Sequence, residues 1–306
     1  MCGISLIISK NKINIINNLL NSLELIQNRG YDSMGICYFD NSSNTYIIEK
    51  KASNYKNDCY DLLKNKLLNN NIFSYVGFGH TRWATHGGKT DNNAHPHISE
   101  KGNIILIHNG IINNFNDLKL QLLNNGCFFY SETDTEVIAN LIEYYLIYMC
   151  NTIEEAIQNT INQLHGTWAL VIVYTKDLDT YYITRKGSPL LLANNDNYIL
   201  CTSETNGFIG LVNNYIPLND NTIVKINNNN YHLLSESDDI KNNKDKQNEL
   251  QNELQNEYNI RKISNADLVT SCKPYLHWME KEIMEQPETI QKAYNNGGRI
   301  DNNIIK

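Results

Sequence analysis

Cys2 directly follows the initiator methionine. Removal of Met1 would leave a thiol nucleophile and a free α-amino group on one residue. An amine of pKa about 7.7 to 8.0 suits proton transfer near neutrality. The same cysteine also reads as an ordinary buried residue opening a strand, so its context has to decide. That context is a set of polar segments: Arg29-Gly30-Tyr31-Asp32-Ser33, His80-Thr81-Arg82-Trp83-Ala84-Thr85-His86-Gly87, Asn92 to His97, His108-Asn109-Gly110 and Glu132-Thr133-Asp134-Thr135-Glu136. His80, His86, His95 and His97 fall within a short stretch and could suggest a metal. No carboxylate or cysteine accompanies them at zinc spacing, so no metal site is expected.

Apolar periodicity sets out the elements that must position these groups. Ile4 to Ile8 reads as a buried strand with Cys2 at its start, and Ile15 to Ile26 as a helix stopping at Asn28-Arg29-Gly30. Gly30 is expected to supply positive φ at that stop. Met34 to Phe39 and Thr45 to Ile48 read as strands around a polar turn, followed by a helix at 58–68 and a strand at 75–80. A polar loop occupies 81–96, and the next strand, 103–108, ends at Asn109-Gly110. Helices at 116–124, 134–148 and 153–164 precede strands at 168–174, 180–185, 199–203 and 222–226. Consecutive strands with grouped helices predict an α+β sandwich of antiparallel sheets rather than alternating βαβ units, and no GxGxxG or P-loop spacing contradicts this.

The 306 residues, 41% of them apolar, can bury a sizeable core in one or two domains. The formal net charge of -7 and scattered cations give no footprint for nucleic acid or anionic lipid. No apolar run approaches a membrane span and no signal peptide opens the chain, so the expected compartment is the cytoplasm. Seven widely spaced cysteines without a CxxC pair argue against a disulfide framework. Residues 235–262 form a polar insertion, with Gln-Asn-Glu-Leu repeating from Gln247. The tail at 263–306 reads as a linker, with an apolar segment at 275–290, including Trp278, Ile283, Met284 and Pro287, that ends in a helix stop.

Taken in order and spacing, the polar segments resemble the N-terminal glutaminase domain of the glutamine–fructose-6-phosphate aminotransferase family, from Cys2 to about Ile226. The resemblance resumes at His277 to Pro287. It implies a domain at 2–234 with the N-terminal nucleophile hydrolase αββα sandwich, two antiparallel sheets flanked by helices, and no cofactor. It further implies that Cys2 attacks the carboxamide of L-glutamine to form a glutamyl thioester that water cleaves, with its own amine as base. Asn109 and Gly110 would form the oxyanion hole, although Asn-Gly is also a favourable turn pair. Arg82 would bind the α-carboxylate and Asp134 the α-ammonium, although a surface arginine and a helix N-cap are the plain alternatives. Thr85 and His86 would cover the substrate and Trp83 would gate the ammonia passage. Arg29 and Gly30 would support the nucleophile's strand, and His97 would face the sugar domain.

Met34 and the run His165-Gly166-Thr167-Trp168-Ala169 depart from the family pattern and are expected to affect packing alone. The two sugar-isomerase domains that bind fructose 6-phosphate are not in this chain. The expected partner is that domain or a separate subunit, with any homo-oligomer formed through the absent half. Either the chain is a fragment or it is a stand-alone glutaminase. A catalytically silent glutamine-binding module and a glutaminase serving another acceptor are the competing readings.

Overall fold

The computed structural model describes residues 2–54, 58–70, 72–227, 230–234, 260–263 and 273–295. The expected polar insertion lies mostly outside these residues, as does the tail after 295. The first compact unit runs to Ser264. Its first sheet contains β1 (Gly3–Ser9), β2 (Ser33–Asp40), β3 (Thr45–Ala52), β4 (Val76–Arg82), β9 (Leu191–Asn194), β10 (Tyr198–Thr202), β11 (Asn214–Pro217) and β14 (Arg261–Lys262). These run in the order β14-β11-β9-β10-β1-β4-β2-β3. The second sheet contains β5 (His97–Ile98), β6 (Ile104–Ile112), β7 (Gly166–Tyr174), β8 (Thr180–Lys186), β12 (Ile223–Asn227) and β13 (Tyr231–Leu234), ordered β13-β12-β8-β7-β6-β5. All of the ladders are antiparallel.

Side-chain alternation explains how the layers stack. In β1, Ile4, Leu6 and Ile8 point into the core shared with Ile105, Ile107, Val171 and Ile183 of the second sheet. Ile7, on the opposite face, packs with α1 (Ile16–Leu25) and α2 (Cys59–Asn69). Every residue of β1 is buried because helices and the facing sheet cover its two faces. Each fully buried isoleucine or leucine there contributes about 1.5–3 kcal/mol. On the far side, α3 (Phe115–Asn124), α4 (Asp134–Tyr148) and α5 (Ile153–Gln163) cover β6, β7 and β8 through Leu118, Ile138, Ile142, Ile157 and Trp168. The result is the expected αββα sandwich.

Several local expectations are corrected. Asn109-Gly110 lies inside β6, in register with Ala169 and Trp168, and does not form a turn. The second unit holds a helix at Trp278–Asn295, which contains Pro287 and runs past the expected end at Ile290. No helix of the described residues is long and apolar enough to cross a membrane.

Candidate active site

Cys2 immediately precedes β1 and lines a small cavity together with Arg82, Trp83, Thr85, His86, Gly110 and Asp134. The strand order brings these residues together, because β1 lies beside β4, which ends at Arg82, and faces β6, which carries Gly110. The Cys2 Sγ accepts a hydrogen bond from the backbone N–H of Trp83 at 3.3 Å. Burial pushes the thiol pKa up, outweighing the lowering by that N–H and by the Arg82 and Arg29 cations.

Two donors fix the backbone of Cys2. Its carbonyl oxygen accepts from Arg29 Nε at 2.8 Å and from Asn109 Nδ2 at 2.9 Å. Arg29 also pairs with Glu204 at 3.0 Å, which anchors it beyond β10. Gly30 is required for a different reason from the one expected. Its φ of 179° is extended, but a Cβ there would meet the carbonyl carbon of Arg82 at 2.4 Å and the nitrogen of Trp83 at 2.6 Å. The absent side chain lets the Arg82–Trp83 backbone lie against this turn, where its N–H reaches the thiol.

Arg82 is buried and donates to the carbonyls of His86, Gly87 and Gly88 at 2.5, 3.2 and 3.2 Å. The loop after β4 is thus wrapped around a buried guanidinium, which excludes the surface-arginine alternative. Side chains distant in sequence hold the same loop. Asp32 accepts from the N–H of Ala84 at 2.8 Å, and Lys89 pairs with it. Glu132 accepts from the N–H of Gly88 at 3.2 Å and from Asn93 Nδ2 at 2.9 Å, while Asn93 Oδ1 accepts from the N–H of Glu132 at 3.0 Å.

Asp134 is the first helical residue of α4 and not its cap. The cap is Thr133, whose hydroxyl accepts from the N–H of Glu136 at 3.3 Å. This leaves the buried carboxylate of Asp134 to face the cavity, with Oδ2 accepting from the N–H of Ile112 at 3.0 Å. His86 Nδ1 stands 3.9 Å from that oxygen, and its ring packs edge-on against Phe115.

His95 and His108 also line the cavity, and His80 and His97 bear on them or their neighbours; all four are buried. Burial lowers the pKa of each, to about 3 for His80. His97 bonds the Thr133 hydroxyl at 3.2 Å and so is an interior residue, not one facing another domain. Among the described residues no group of histidines, cysteines and carboxylates is arranged to hold a metal. The run at 165–169 does more than pack: the Thr167 carbonyl accepts from His108 Nε2 at 3.4 Å and would lie 2.0 Å from a Cβ at Gly110. Gly110, at φ +142°, therefore admits no side chain.

Sequence reasoning missed the loop anchors Asp32, Asn93 and Glu132 and the cavity-lining Thr133, Thr135, His95 and His108. All seven sit within the quoted polar segments, which is the only signal that could have singled them out.

Residues 80–209 match the family described as a glutamine amidotransferase domain. Among solved structures, the sandwich is shared with a Bacillus subtilis glutamine phosphoribosylpyrophosphate amidotransferase complexed with ADP and GMP. That match has TM-score 0.64 at 23% identity over 78% of this chain and 50% of that one. A class II glutamine aminotransferase domain protein from Silicibacter pomeroyi aligns at TM-score 0.54 and 14% identity over 76% of this chain and 98% of that one, and these two likenesses speak for the fold. Residues 80–209 thus carry a glutamine amidotransferase domain, and the αββα sandwich is the fold of these amidotransferase structures. Its curated relatives include the glutamine–fructose-6-phosphate aminotransferase (isomerizing) of Fusobacterium nucleatum, 35% identical over 96% of this chain and 44% of that protein. The enzyme of the same name from Thermococcus kodakarensis is 35% identical over 100% of this chain and 47% of that protein. The chain thus spans about half the length of the curated relatives it matches.

Proposed function

We propose that this chain is the glutaminase part of a glutamine–fructose-6-phosphate aminotransferase, with Cys2 as nucleophile after removal of Met1. The observation that carries the reading is that Cys2, Arg82 and Asp134 line one cavity, with the Cys2 carbonyl held by Asn109. Free glutamine carries one carboxylate and one ammonium. A buried guanidinium and a buried carboxylate at the wall suit those two charges and disfavour an amide within a protein.

In this mechanism the α-amine of Cys2 takes the thiol proton as sulfur bonds to the carboxamide carbon. The amide nitrogen of Asn109 and the backbone N–H of Gly110 receive the developing oxyanion. The C–N bond then breaks, nitrogen takes the proton from the amine, and ammonia leaves. Water adds to the glutamyl thioester and the C–S bond breaks, giving glutamate and restoring the thiol. Trp83 shields the passage, and Thr85 and His86 cover the substrate.

The ammonia acceptor is fructose 6-phosphate, bound by a sugar-isomerase domain or subunit, giving glucosamine 6-phosphate. This part rests on the names of the relatives. Domain limits of 2–234 for the glutaminase, 235–262 for the insertion and 263–306 for the linker fit the same reading. The reaction belongs to the cytoplasm, a reducing compartment that keeps a nucleophilic thiol available.

The test is amide hydrolysis by the purified chain with glutamine and asparagine in parallel. Release from glutamine alone is expected. Equal release from both would remove the assigned roles of Arg82 and Asp134.

A further inference from the structure

Thr135 lies one residue beyond Asp134 on α4, and its hydroxyl meets three groups at once. Oγ1 stands 3.1 Å from His95 Nε2, 3.1 Å from His108 Nδ1 and 3.5 Å from Asp134 Oδ1. His108 immediately precedes Asn109 and Gly110 on β6.

The surrounding bonds assign each proton in this junction. Carbonyls only accept, so His108 Nε2 carries hydrogen toward the Thr167 oxygen and leaves Nδ1 as an acceptor. The backbone N–H of His108 points at His95 Nδ1 at 3.4 Å, so His95 carries its hydrogen on Nε2. The Thr135 hydroxyl therefore accepts from His95 and donates to His108, with both imidazoles neutral. Burial disfavours the charged form of either ring, in agreement with this pattern. Because the hydroxyl proton is committed to His108, Asp134 Oδ1 keeps its lone pairs for another donor. Its Oδ2 is already occupied by the N–H of Ile112.

We propose that Thr135 is a positioning residue: as the shared partner of His95 and His108, its hydroxyl locks Asp134 to the strand carrying Asn109 and Gly110. It thereby fixes the spacing between the ammonium site and the oxyanion donors. The inference rests on the glutaminase reading and adds a residue to it. Thr135→Val keeps the shape but breaks both bonds and leaves two buried ring nitrogens without partners. Thr135→Ser keeps the hydroxyl.

The experiment is steady-state glutamate release by wild type, Thr135→Val and Thr135→Ser, together with ¹⁵N–¹H spectra of the histidine rings. Thr135→Val should lose about ten- to a hundredfold in kcat/KM, with KM raised as well as kcat lowered, and Thr135→Ser should stay within about twofold of wild type. Wild-type His95 and His108 should both appear as neutral Nε2–H tautomers. A Thr135→Val enzyme as active as wild type, or a serine variant as impaired as the valine one, overturns the proposal and leaves the glutaminase reading intact. If the valine variant does not fold, a charged or Nδ1–H ring at either histidine in the wild type overturns it instead. A wild-type chain that releases no glutamate defeats the underlying reading, and the inference with it.

Discussion

The side-chain amide of Asn109 donates to the carbonyl oxygen of Cys2 across 2.9 Å, tying β6 of one sheet to the residue just before β1 of the other. The group proposed to receive the oxyanion is thereby referenced to the backbone of the nucleophile. Asn109→Ala should lower kcat about 10²- to 10³-fold, as the loss of one oxyanion donor does. KM should change far less, because the substrate's charged end is bound elsewhere. Initial rates across a glutamine series separate the two effects.

Arg82→Lys keeps one positive charge and loses the planar fork. Three carbonyls of the loop after β4 depend on that fork. Leaving buried acceptors unpaired costs roughly 1–3 kcal/mol each, so the variant should unfold at a clearly lower temperature and show KM raised at least about tenfold. A melting curve and a glutamine titration on the same preparation check both outcomes.

Glu132 clasps the loop at Gly88 and Asn93. Glu132→Ala should loosen that closure and raise KM about three- to tenfold, with little change in the kcat reached at saturation. Limited proteolysis should cut within 84–94 faster in the variant, and glutamine should slow the cleavage. Equal cutting rates in the two proteins would contradict the clasp.

The buried histidines make stability depend on pH. His80 has its pKa lowered from 6.5 to about 3 by burial, and those of His95, His97 and His108 are also lowered. Between those values the unfolded chain binds protons that the folded chain refuses. The stability from neutral rings is therefore present above pH 6.5 and is lost as pH falls from there toward 3. For His80 the loss is on the order of 1 kcal/mol per pH unit. Chemical denaturation at stepped pH should show the midpoint falling below about pH 6.5. A flat profile down to pH 4 would mean that the rings protonate in the folded state.

The long strands and helices were legible because burial on one or both faces writes apolar periodicity into β1, β2, β6 and α1. The short strands β5, β9, β11 and β13, of two to four residues, carry too few positions for a period to appear. At the site, the motif residues Cys2, Arg82, Gly110 and Asp134 line one cavity, and the Asn109 amide donates to the Cys2 carbonyl. What stayed hidden was pairwise and long-range. Asp32 holds Ala84 across 52 positions and Asn93 meets Glu132 across 39, and no local pattern encodes such partners. Gly30 and Asp134 were visible as special positions, but their reasons were not. A close backbone approach from β4 and a cap at the neighbouring threonine belong to the folded geometry.

The most direct test compares glutamate release from glutamine by the wild-type chain and by Cys2→Ala, with the mature N-terminus of each weighed by mass spectrometry. The account predicts a wild type that begins at Cys2 and turns over glutamine, and a folded variant with no turnover. Turnover that survives Cys2→Ala, or activity in a chain that retains Met1, would contradict it.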